Sequence, residues 1–271
     1  MKIYISADIE GITGVTHWDE TELQHAEYTM AREQMTAEVA AACEGGLQAG
    51  ATEIWVKDSH DSARNLIASR LPREVRLIRG WSGHPVLTLQ GLDNTFATVA
   101  LIGYHSRAGS GASPLAHNFT GKVTTIKING VFVSEFLMDA YTSAYVGVPL
   151  VFVSGDQGIC DEATQLNAHI QTLAVKQGVG NSTVNLHPDL AVARIREGMV
   201  QAVAQALKGD AARHQVALPE HFSIEVRYRA AYSAYHDGFY PGAQQTDAMT
   251  VRFDTQDYFE VLRFMMFTVQ S

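Results

Sequence analysis

Short β-branched runs alternate with segments of helical spacing along most of this 271-residue chain, and that alternation limits the fold more than any other feature. It predicts an α/β architecture, a mostly parallel sheet flanked by helices. "KIYISAD" opens as a strand. Tyr28, Ala31, Met35, Val39 and Ala42 then follow helical spacing, with Gly45, Gly46 and Gly50 as stop signals. "TEIWVKD" and "ATVALIGY" read as the second and third strands, and "PLVFVSGD" and "IQTLAVKQ" as later ones. Asn129-Gly130 between the β-branched runs of "VTTIKINGVFV" predicts an antiparallel β-hairpin inserted into this series. A helix follows from the N-cap Ser134 to Gly147, and Val192, Ile195, Met199, Val203 and Leu207 mark another. "HFSIEVRYR", "AMTVRFD" and "DYFEVLRFMMFTVQ" predict two strands and a closing helix, a smaller C-terminal α/β part. The segment from Gly178 to Pro188 is the best boundary, dividing the chain into 1–183 and 184–271 unless the two parts are one intertwined domain.

Composition narrows the function classes. Hydrophobic residues make up 46% and charged residues 18%, an ordinary globular balance. The net charge of −9 argues against nucleic acid, whose phosphates favour a basic face. Cys43 and Cys160 lack zinc-knuckle spacing and are expected as reduced, buried thiols. No apolar run approaches the ~20 residues that span a bilayer. The N-terminus has no signal-peptide pattern, so the expectation is a cytoplasmic protein without a membrane partner.

The chemistry lies at the predicted strand ends. The first strand leads into Asp8 and Glu10, the second into Asp58 and His60, and the third into His105. A Gly/Ser-rich loop carrying His117 comes next, and the hairpin leads to Glu135 in the first turn of a helix. Loops at the carboxyl ends of adjacent parallel strands converge on one crevice, so these residues can meet. Carboxylate and imidazole together suit zinc, with manganese or cobalt as neighbours in preference. Three carboxylates (Asp8, Glu10, Glu135) and two imidazoles (His60, His105) over-supply one ion. Two divalent ions exceed the three carboxylates by one positive charge, which a bridging hydroxide would neutralise while serving as a nucleophile. Asp8, short and central, is the candidate bridging ligand. Taken singly, each residue also has a structural role open to it: Asp58 as orienter of His60 or as a cap, Glu135 as a partner of the helix dipole.

These segments carry a family resemblance. "SADIEG", "DSH", "GYHSRA", "LAHNF" and the Glu after "INGVFV" resemble, in order and interval, the D-aminopeptidase (DppA-like) family of dinuclear zinc peptidases. "VSGD" and "AVKQ" are similar to further family segments. The resemblance is strong through about Lys176 and looser beyond. It implies two Zn2+ held by Asp8, Glu10, His60, His105 and Glu135, and a catalytic His117. It also implies a cytoplasmic homo-oligomer, a ring-based decamer with active sites facing an inner chamber. Ser134 stands where Gly is expected, and "HNFTG" follows the loop histidine less typically; both bear on substrate shape.

The expected activity is removal of the N-terminal residue, a D-amino acid such as D-Ala, from short peptides, with His117 as general acid/base, oxyanion stabiliser or, less favoured, nucleophile. The rival functions are a dinuclear metal phosphoesterase and a non-catalytic metal- and peptide-binding component of a transport system. His17, His25, His84, His169, His187, His214, His221 and His236 carry no motif and are expected as surface or structural residues. Tyr235 and His236 are expected in a loop, with a pocket or subunit contact as the alternative.

Overall fold

The computed structural model describes residues 1–270. In chain order its elements are β1 (Lys2–Ala7), α1 (Tyr28–Gln48), β2 (Glu53–Asp58), β3 (Val75–Ile78), β4 (Thr98–Tyr104), β5 (Val123–Ile128), β6 (Val131–Phe132) and α2 (Glu135–Val146). They continue as β7 (Leu150–Asp156), α3 (Gln157–Leu166), β8 (Gln171–Val179), β9 (Ser182–Asn185), α4 (Pro188–Gln205), β10 (Phe222–Tyr228), α5 (Ala231–Asp237), β11 (Ala243–Asp247), β12 (Thr250–Thr255) and α6 (Tyr258–Thr268).

Seven strands form the first sheet in the order β3-β2-β1-β4-β7-β8-β9, parallel except for the antiparallel edge pair β8/β9. The strand order reverses between β1 and β4, so a crevice opens at their carboxyl ends. Side-chain alternation assigns the two faces. Ile3 and Ile5 share a core with Met35 and Val39 of α1 and with Ile195, Met199 and Val203 of α4. Tyr4, Val99 and Leu101 point the other way, into a core with Phe136 and Met138 of α2.

The second sheet is antiparallel, in the order β11-β12-β10-β5-β6. The expected hairpin is present: Asn129 and Gly130 both adopt positive φ, 51° and 81°, as a two-residue turn of this kind requires. Its outer partner is β10, with Ile126 opposite Val226. The hairpin therefore belongs to the same sheet as the C-terminal strands, and position 183/184 falls inside β9. No helix among the described residues is long and apolar enough to cross a membrane.

Gly45 and Gly46 do not stop α1, which runs on to Gln48. A Cβ on Gly45 would overlap the Arg196 carbonyl, and one on Gly46 would overlap Ile3. The glycines serve contact with α4 and the sheet.

Backbone approach is closest at the switch point. The Gly11 N–H donates to the Gly103 carbonyl at 2.8 Å, and a Cβ on Gly11 would overlap the Tyr104 carbonyl oxygen. Gly11→Ala will therefore destabilise the fold by about 3 kcal/mol or more in chemical unfolding. Gly111→Ala, with open space around it, will stay within about 0.5 kcal/mol of wild type. Equal stability of the two variants would contradict the close approach.

Candidate metal centre

Register brings the site residues level with one another. Ala7 pairs with Asp58 on one side and with Ile102 on the other, so the chains leaving β1, β2 and β4 enter the crevice together. The Asp8 N–H extends the β4 pairing by donating to the Ile102 carbonyl at 2.9 Å. Glu135 enters from α2, whose N-cap Ser134 accepts from the Leu137 N–H at 3.0 Å as the sequence predicts. The structure brings all six candidates together. His60 Nδ1 lies 3.5 Å from Asp8 Oδ1 and 3.0 Å from Glu10 Oε1. His105 Nε2 lies 3.4 Å from Asp8 Oδ2 and 3.4 Å from Glu135 Oε1. His117 Nε2 is 3.8 Å from Glu135 Oε1, and its ring stacks on His105 with centroids 4.3 Å apart.

The hydrogen bonds fix which ring nitrogen faces the site. His60 Nε2 donates to the Thr21 carbonyl at 2.8 Å, and His105 Nδ1 to the Ser106 carbonyl at 2.9 Å. A ring nitrogen tied to a carbonyl keeps its proton, so the opposite nitrogen is the one that faces the site and can give up its proton to a metal. Those nitrogens face carboxylates, whose negative charges need positive charge between them, an imidazolium proton or a cation. Burial, joined by the charge of Glu10, pushes the Asp8 carboxyl up to about 7 against the pull of His60 and His105. Burial acts the same way on Glu10 and Glu135, but neighbouring imidazoles outweigh it and hold both low: His60 for Glu10, His105 for Glu135. His105 is pushed up to about 10, Glu135 and Asp8 overcoming its burial. Glu10 Oε2 and His105 Nε2 are buried without a hydrogen-bond partner. Such orphaned atoms in a carboxylate–imidazole cluster fit the donor set of divalent cations. Asp8, Glu10 and His105 form one cluster able to hold an ion, and His105, His117 and Glu135 form a second.

Residues outside the candidate ligand set hold these groups in place. Asp58 accepts from the Asn65 and Leu66 N–H groups at 2.6 and 2.7 Å, and Asn65 Nδ2 donates to the His60 carbonyl at 2.7 Å. Asp58 thus ties down the His60 loop and contacts no ring nitrogen. Asp156 accepts from the Ser106 N–H and hydroxyl at 2.7 and 2.6 Å, fixing the turn after His105. Asn118 accepts from the Ala108 N–H at 2.8 Å and donates to the Val133 carbonyl at 2.6 Å, anchoring the loop of His117. The Phe119 N–H donates to Glu135 Oε1 at 2.6 Å from a backbone strained to φ 56°. Lys176 donates to the Glu10 and Val15 carbonyls. The segments "VSGD", "LAHNF" and "AVKQ" contain Asp156, Asn118 and Lys176, which is the signal that was available.

A cleft of ≈ 730 Å³ leads in from solvent, lined by Glu10, His60, His117, Trp18, Arg64 and Arg229 among others. Its inner continuation, ≈ 80 Å³, is lined by Asp8, Glu10, His60, His117 and Glu135. The Trp18 ring meets His117 edge-on at 5.1 Å.

Fold and site together define an α/β protein with a buried carboxylate–imidazole centre at its topological switch point. The chain belongs to the D-aminopeptidase family, whose pattern matches residues 1–267. It is 30% identical over 267 residues to a D-aminopeptidase of Bacillus subtilis (strain 168), covering 98% of this chain and 96% of that one. Among solved structures it is similar to the Zn-dependent D-aminopeptidase DppA from Bacillus subtilis, a self-compartmentalizing protease. The TM-score is 0.90 at 28% identity, over 100% of this chain and 97% of that one.

Beneath the centre, Asp139 is buried and accepts hydrogen bonds from Thr88 and Tyr104. Burial pushes its carboxyl up to about 7 despite those bonds, against ~3.9 in an unfolded chain. Between these values the folded state keeps a proton the unfolded state has lost. The contribution of Asp139 is therefore complete below about pH 4 and is lost as the pH rises toward 7. Asp139→Asn will flatten the fall in unfolding free energy across that window by roughly 1–4 kcal/mol relative to wild type. An unaltered slope in matched unfolding curves would mean that the carboxyl is charged throughout.

Proposed function

We propose that the protein is a zinc-dependent aminopeptidase releasing the N-terminal residue, a D-amino acid such as D-Ala, from short peptides. One observation carries the metal reading: two imidazoles, each tied through its other nitrogen to a backbone carbonyl, turn their remaining nitrogens toward three buried carboxylates. Membership of the D-aminopeptidase family supports the activity. The same membership sets aside a phosphoesterase and a non-catalytic binding component. Asp8, Glu10, His60, His105 and Glu135 are the proposed ligands of two Zn2+ per chain, with Asp8 bridging, since its two oxygens face different imidazoles. Zinc bound there supplies Lewis acidity toward a carbonyl and an ionised water near neutral pH.

The chain's own residues handle binding and protons. The inner pocket of ≈ 80 Å³ is walled by the proposed ligands and is the space the ions would take, which leaves the outer cleft for the peptide. His117 Nδ1 donates to the Leu115 carbonyl at 3.0 Å, leaving Nε2 as a base open to the cleft. Burial, joined by the charge on His105, lowers its pKa. A neutral Nε2 can take a proton from the attacking water and return it to the departing amine. Trp18 and the hydrogen-bonded Leu115 carbonyl hold the ring in orientation.

A homo-oligomer, specifically a ring-based decamer in the cytoplasm, completes the proposal. The structural relative is a self-compartmentalizing protease, and Tyr232, Tyr235 and Phe239 stand exposed around α5 as an apolar patch suited to a neighbouring copy. We also read the chain as one intertwined domain, because the second sheet takes strands from both sides of residue 183.

Elemental analysis should find close to two zinc ions per chain in wild type, and none or half that amount in Asp8→Ala. Absence of stoichiometric metal from protein reloaded with zinc, manganese or cobalt would sink the metal reading. His117→Ala should keep both ions yet lose about 10²–10⁴-fold in kcat. Full turnover by that variant would remove His117 from catalysis; loss of one ion would make it a ligand.

A further inference from the structure

The cleft outside the candidate metal centre carries a second chemical character. Its volume of ≈ 730 Å³ lies within the ~300–1,000 Å³ of small-molecule sites. Glu10, His60 and His117 connect it to the metal centre, while Arg64 and Arg229 also line it. Arg64 belongs to the loop after β2 of the first sheet, and Arg229 follows β10 of the second. The Arg229 N–H donates to the Lys122 carbonyl at 2.9 Å, which sets its backbone beside Thr120 and Gly121 of the cleft wall.

Several arginines of this acidic chain find carboxylates, Arg196 with Glu44, Arg227 with Asp247 and Arg263 with Glu260, and others, such as Arg32 and Arg107, donate to backbone carbonyls. Among the described residues, no carboxylate pairs with Arg64 or Arg229. Glu22 and Asp61 line the same cleft without engaging either guanidinium, and Glu22 is met by His25 at 3.5 Å. An unpaired guanidinium in a cleft keeps its fork of donors for a ligand, and that fork matches a planar carboxylate.

We propose that Arg64 and Arg229 form a carboxylate-binding subsite for the C-terminus of a short peptide whose N-terminal residue lies at the metal centre. The proposal rests on the aminopeptidase reading and deepens it by naming the end of the substrate opposite the scissile bond. A short peptide is a dipole, amine at one end and carboxylate at the other. The cleft offers acidic groups and guanidiniums in the corresponding sense. A peptide too long for the cleft must leave its carboxylate outside, so the subsite selects for short chains.

The test compares a D-alanyl dipeptide as free acid and as C-terminal carboxamide, with the zinc-loaded full chain. Wild type should prefer the acid about tenfold or more in kcat/KM, with the difference carried by KM, as charge-assisted hydrogen bonds require. The double variant Arg64→Gln/Arg229→Gln should bring the ratio to about one, and the corresponding double Lys variant should retain part of it. Equal use of acid and amide by wild type would overturn the subsite and leave the aminopeptidase reading standing. So would a ratio that survives in the double Gln variant. Failure of zinc-loaded wild type to hydrolyse either peptide would instead overturn the aminopeptidase reading itself.

Discussion

Like-charge repulsion in a buried place is the constraint on which the rest of this structure depends. Asp8, Glu10 and Glu135 are all buried, and water is too scarce there to screen them. Removing a buried cation's partner leaves an uncompensated charge worth several kcal/mol, so the cluster is stable only with positive charge among its members. Protonated imidazoles can supply part of it, but the Thr21 and Ser106 carbonyls already claim the N–H on the far side of each ring. A second proton would sit between imidazole and carboxylate where a divalent ion would do the same work with more charge. The tautomers chosen by the backbone are therefore what turn a costly cluster into a metal-binding one.

The fold supplies the rigidity that such a cluster needs. Three adjacent strands deliver their last residues at one level, and glycines at positions 11 and 103 let the connecting chains cross in near contact. Around them a ring of neutral or paired polar groups takes up the strain. Asp58 and Asp156 spend their carboxylates on loop N–H groups, and Lys176 offers its ammonium to backbone carbonyls while burial lowers its pKa to about 8. Each of these is a buried charge with several hydrogen bonds, which is the condition under which burial is tolerated.

The parts legible in the sequence were those written locally. Short β-branched, apolar runs marked β1, β2, β4 and β7; the Asn129-Gly130 pair marked the hairpin, and Ser134 and Gly147 marked the ends of α2. The site followed from noting which residues end those strands, because a parallel sheet gathers its carboxyl ends. What was hidden depends on distant partners. Pairing of β5 with β10 joins residues about a hundred positions apart, and no local pattern announces it. Short or polar elements such as β3, β9, β11 and α5 bury too little to show a period. Gly45 and Gly46 read as helix stops because their packing partners, Arg196 and Ile3, lie elsewhere in the chain. The carbonyls that set the imidazole tautomers carry no side-chain signature at all.

That long-range pairing has a consequence for the site. With β10 docked on β5, the segment after β10 closes one side of the cleft, while loops after β1 and β2 close the other. Gln270, beyond the last helix, reaches the inner pocket as well. The cleft is therefore composite: the first sheet supplies Asp8, Glu10 and two imidazoles, α2 brings Glu135 from the end of the hairpin, and the second sheet supplies part of the wall facing them. Neither half could hold the cleft's shape alone, since its opposing surfaces are fixed only by the contact between the sheets. A change in the C-terminal strands would act on substrate binding through that wall, at a distance from any residue of the proposed metal centre.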